Sequence, residues 1–87
     1  LELRLDESHS LKEKRHLVQS LKDRLRSRFN VSVAEIDYQD TWQRATLAAV
    51  TVASDRTHAG KVLQGVEDDA AALAGPALVN VTLEWIE

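Results

Sequence analysis

Residues 10–30, SLKEKRHLVQSLKDRLRSRFN, repeat their apolar side chains with the period of an α-helix, and a helix of that length needs an apolar surface as long as itself to rest on. Leu11, Leu17, Val18, Leu21, Leu25 and Phe29 form one stripe, the side to be buried. Ser10 with Glu13 three residues later has the Ser-x-x-Glu capping box that starts a helix. Phe29-Asn30 marks its end, asparagine being tolerated in the left-handed conformation that closes helices. Beside the stripe, Lys12, Arg15, Gln19, Lys22 and Arg26 recur at steps of three and four, a ridge roughly 20 Å long at about 1.5 Å per residue.

Period-two stretches surround this helix. Residues 1–6 alternate apolar and charged, which predicts a strand with Leu1, Leu3 and Leu5 inward, and Glu7-Ser8-His9 is a polar connector. Residues 31–38 are rich in β-branched side chains and predict a partly exposed strand. Residues 44–54 are almost uncharged and predict a central strand covered on both faces. Residues 39–43 between them suit a hairpin with Trp42 near its tip. Ser54 or Asp55 caps a second helix carrying Ala59, Val62, Leu63, Val66, Ala70 and Leu73, which Gly75-Pro76 stops. Gly60 and Gly65 each weaken that helix by about 1 kcal/mol relative to alanine, so it must lean on tertiary packing. Residues 77–87 alternate again, with Val79, Val81, Leu83 and Trp85 on one side of a last strand.

The order β-α-β-β-α-β predicts an α+β, ferredoxin-like fold: a four-stranded antiparallel sheet with two helices on one face, the first and third strands central. No repeat, linker or low-complexity segment divides residues 1–87, so a single domain is expected. At 44% hydrophobic and 29% charged the composition is that of a chain that folds. With no cysteine, disulfide frameworks, thiolate metal sites and cysteine nucleophiles are excluded, and a reducing cytoplasm is the expected setting. No signal-like or membrane-length apolar run is present. The chain lacks methionine even at position 1 and opens inside a predicted strand, so its amino end is expected to be trimmed.

Several stretches resemble the YlxP-like family of small bacterial proteins, a domain of unknown function (number 503): Ser10-Leu11-Lys12-Glu13-Lys14-Arg15, Arg28-Phe29-Asn30-Val31-Ser32-Val33-Ala34-Glu35, Asp40 with Trp42-Gln43-Arg44-Ala45, and Ser54-Asp55. The resemblance implies a ferredoxin-like fold and a bacterial cytoplasm. It also implies a link to the ribosome, by the association of family genes with those for translation initiation and ribosome maturation. It carries no catalytic residue. The chain departs from its relatives in starting several residues later and in Asp6-Glu7-Ser8-His9, where many have a Pro- or Gly-containing turn.

Catalytic and metal-binding patterns are not recognisable. His9, His16 and His58 are dispersed without ligand spacing and read as solvated, so no metal is expected. Glu35, Asp37 and Asp40 cluster at one end of a hairpin, where acid–base work and solubilising charges on an exposed edge are both open, the second favoured. Ser8, Ser10 and Ser54 lack a nucleophile elbow, and the three glycines form no phosphate loop or dinucleotide fingerprint. No cofactor, small-molecule substrate or membrane partner is expected, and the chain is read as a non-enzymatic binding module.

Charge gives the functional lean. Residues 11–28 hold seven basic groups against Glu13 and Asp23, a net +5, which leaves −8 for the rest of a chain of net charge −3. RNA or a ribosomal particle is the expected partner, met by Lys12, Arg15, Lys22 and Arg26, with Lys14, Arg24 and Arg28 as further cations and Trp42 and Arg44 adding stacking where the hairpin reaches the same ligand. Stacking on the central strand is excluded, because residues 45–52 hold no aromatic. A solvated helix face explains the ridge equally well. The alternative function is protein interaction or homodimerisation through the open sheet face, which must carry either Leu47, Ala49 and Thr51 or Ala48, Val50 and Val52 of the central strand, or through an edge strand.

Overall fold

The computed structural model describes residues 1–5 and 10–86. Strand β1 spans Glu2–Arg4, helix α1 Leu11–Arg28, strand β2 Ser32–Asp37, strand β3 Arg44–Val50, helix α2 Arg56–Ala74 and strand β4 Leu78–Asn80, the last preceded by a 3-10 turn at Gly75–Ala77. All pairings are antiparallel and the sheet order is β2-β3-β1-β4, so β1 and β3 are central. This is the ferredoxin-like α+β arrangement that the order of periodicities predicts.

The core lies between the sheet and the helices. Leu3, Val33, Ala45 and Leu47 from three strands meet Val18, Leu21 and Leu25 of α1 and Val66 and Ala70 of α2 in one buried cluster, which places both helices on the same face. Leu21 and Leu25 are fully buried, each contributing about 2 kcal/mol in apolar transfer. Local chemistry sets the helix starts: Ser10 Oγ accepts the Glu13 N–H at 3.1 Å, and an Asp55 carboxylate oxygen accepts the His58 N–H at 2.8 Å. The helices approach closely at Gly65, where an added Cβ would lie 2.6 Å from the Phe29 ring.

Several elements differ from their sequence expectations. The helix end at Phe29 is extended, and the non-glycine residue of positive φ among those described is Tyr38 (φ 62°), not Asn30. Helix α2, by contrast, starts as expected, with Asp55 of the candidate pair Ser54 and Asp55 as its cap. Of the two apolar sets on β3, Leu47 (1% exposed) and Ala49 pack on the helix side, which leaves Ala48 and Val50 on the open face. The opposite face of β3 is not covered: Val50 is 57% exposed. The last strand ends at Asn80, and Val81, Leu83 and Trp85 are exposed instead of continuing a ladder. β4 pairs with β1 at Glu2 and Leu3, and alternation in a sequence encodes a face, not the neighbour needed to hold it. The Asp6-Glu7-Ser8-His9 connector lies outside the described residues.

Candidate functional site

An open groove of about 930 Å³ runs along α1 on the side facing β2, lined by Lys12, Arg15, His16, Val18, Gln19, Lys22 and Glu35 among others. Helical spacing brings these side chains together, since positions 12, 15, 19 and 22 are neighbours on one helix face. Arg26 closes the row: its Nη2 donates to the Val33 carbonyl at 2.6 Å. Val33 sits on the edge strand, and pairing of its neighbours Ser32 and Ala34 toward β3 turns its own peptide groups outward. Gln39 Nε2 donates to the Glu35 carbonyl at 3.4 Å farther along the same edge. The β2 edge is therefore capped by side chains along part of its length.

The seven basic residues of α1 divide into two sets. Lys14 is 1% exposed. Its ammonium donates to the carbonyls of Tyr38 and Thr41, the latter at 2.6 Å, and lies 2.9 Å from Glu35 Oε2. That carboxylate oxygen is buried and has no directed hydrogen bond, so its contact with Lys14 is ionic. Lys14 thus ties the first turn of α1 to the β2–β3 connection, and it is no ligand for a phosphate. Glu35, in turn, is an internal partner rather than a solubilising edge charge. Arg24 and Arg28 reach Asp69 of α2 at 3.3 and 2.8 Å, ion pairs at the helix–helix rim. The other four, Lys12, Arg15, Lys22 and Arg26, have no carboxylate partner among the described residues. Asp23, the acid nearest the ridge in sequence, accepts from Gln19 Nε2 at 2.8 Å.

The two hairpin residues proposed for stacking sit elsewhere. Trp42 is 47% exposed at the end of the sheet where α1 begins, outside the groove lining. Arg44 precedes the buried Ala45 and so points to the open face of the sheet, with its guanidinium 4.1 Å from the Tyr38 ring centroid. The sheet separates it from the ridge. Sequence reasoning missed Lys14 and Glu35. A signal existed: 14, 18, 21 and 25 share one helical stripe, and Glu35 keeps the parity of inward-facing Val33. Among the described residues no three His, Cys, Asp or Glu side chains converge as metal ligands, and no helix is long and apolar enough to cross a membrane.

A family model described as "Protein of unknown function (DUF503)" matches residues 1–82. Among curated proteins, the uncharacterized protein YlxP of Bacillus subtilis (strain 168) is 47% identical over 57 residues, 66% of this chain and 62% of that protein. The match thus spans less than two thirds of the relative's length.

Proposed function

Starting from the chain's membership of the DUF503 family, whose description names no reaction, we propose that it is a non-enzymatic binding module that holds the phosphate backbone of structured RNA, as presented by a ribosomal particle, along α1. One observation carries this reading: the fold uses Lys14, Arg24 and Arg28 in ion pairs and leaves Lys12, Arg15, Lys22 and Arg26 as a row of cations without carboxylate partners among the described residues, beside an open groove. Cations spaced along one helix neutralise phosphates without reading bases, so binding should be tolerant of sequence and steep in salt. Four phosphate contacts correspond to a slope of about −3 to −4 in log affinity against log salt. The test is binding of ribosomal particles and structured RNA at low and moderate salt by the native chain and by K12E/R15E/K22E. Arg26 is left intact because it also caps β2. Loss of binding with retained helical signal is expected; unchanged binding would sink the assignment.

A second reading has its own observation. On the open sheet face Ile36 (58% exposed) and Val50 (57% exposed) flank Ala34 and Ala48 in an apolar strip suited to a protein surface or a second copy. Sedimentation at high concentration decides the homodimer: a concentration-dependent increase in mass supports it, and a strict monomer removes it.

A further inference from the structure

On the open face, the register of β1 and β3 sets Arg4 directly opposite Arg44. Leu1 and Leu47 exchange hydrogen bonds, and the Leu5 N–H donates to the Gln43 carbonyl, so the bonded positions are odd on both strands. Arg4 and Arg44 therefore occupy a non-bonded pair, where facing Cα atoms are only about 4.5 Å apart. Like charges directly opposite in such a pair are destabilising. Neither guanidinium has a carboxylate partner among the described residues. Arg44 is steered onto Tyr38, whose backbone is itself held in place, its N–H donating to Asp37 Oδ1 and its carbonyl accepting from Lys14. The two arginines, Glu2, Tyr38, Thr46 and Val79 line a depression of about 300 Å³, in which the Glu2 carboxylate accepts from Asn80 Nδ2 at 3.3 Å.

We infer that this depression binds the phosphate group of a small ligand, seated between Arg4 and Arg44. An anion there relieves the repulsion that the register imposes and meets two guanidinium forks suited to phosphate oxygens. The volume lies at the lower end of small-molecule pockets, room for a phosphate and one compact substituent. The site is on the opposite face of the sheet from the α1 groove and stands or falls apart from it.

The test titrates the full chain with inorganic phosphate, adenosine 5′-monophosphate and adenosine at matched ionic strength, following calorimetric binding and thermal unfolding. Phosphate or the monophosphate should bind saturably and raise the melting temperature, while adenosine does neither. Tighter binding of the monophosphate assigns a phosphate ester and equal binding assigns free phosphate, and both support the site. R4Q and R44Q should each weaken binding about tenfold or more, as expected for losing a charge-assisted contact. K12E/R15E/K22E should bind as the native chain does. Without ligand, R4Q should melt above the native protein, because it loses the like-charge pair. Absence of saturable binding by both phosphates, adenosine matching its monophosphate, native affinity in R4Q, or an R4Q chain less stable than native without ligand each overturns the inference.

Discussion

Lys14 shows how one side chain can invert its apparent role. Charged residues are almost never fully buried unless paired, so a lysine among six other basic residues in α1 reads as surface. Its position on the stripe with Val18, Leu21 and Leu25 decides otherwise, and the Tyr38 and Thr41 carbonyls with Glu35 provide the acceptors an interior ammonium needs. Lys14→Met should cost about 3–5 kcal/mol, since it leaves two carbonyls and a buried carboxylate without their cation. Urea unfolding checks this. Adding Glu35→Leu should recover part of the loss if the stranded carboxylate dominates it; no recovery would assign the cost to the carbonyls. The stripe was legible in the sequence. Which acceptors would meet its lysine was not, because they come from a hairpin whose path depends on Tyr38 adopting φ 62°.

Helix α2 makes the same point one level up. Its two glycines look equivalent in sequence, each a weakness in a helix interior. In the fold they are opposites. Nothing lies within 4 Å of a Cβ built on Gly60, whereas one on Gly65 meets the Phe29 ring at 2.6 Å. Gly60→Ala should therefore stabilise the protein by about 1 kcal/mol. Gly65→Ala should destabilise it by about 1–3 kcal/mol, the usual cost of overpacking. Thermal melts of the two variants should move in opposite directions, and a shared direction would contradict the close approach of α1 and α2. The helices themselves were legible almost to the residue, since caps and periodicity are local. Strand lengths were not: residues 77–87 alternate but β4 spans only Leu78–Asn80, because alternation encodes a face and not the neighbour that a ladder needs.

At the scale of the whole molecule, the sheet keeps apart two collections of cations that sequence reasoning had joined. The α1 ridge lies in the helical layer and Arg44 on the opposite side, so a single ligand reaching both would have to pass around the sheet. Topology was legible because right-handed crossovers leave few ways to connect β-α-β-β-α-β; the division of α1 cations into those with and those without carboxylate partners among the described residues needed the packing of α2 and β2. The β2 edge follows from this packing too. Arg26→Ala removes the side chain on the Val33 carbonyl, and it should increase self-association at high concentration by opening a strand edge, measurable by light scattering. The buried ammonium of Lys14 has a further consequence for the chemistry of the native protein. An amine-acylating reagent meets the exposed amines of Lys12 and Lys61 and the partly exposed one of Lys22 at once, but it can label Lys14 only when the first turn of α1 leaves the hairpin. The rate of that one modification is a clock for opening of the fold, and mass spectrometry can read it without unfolding the sample.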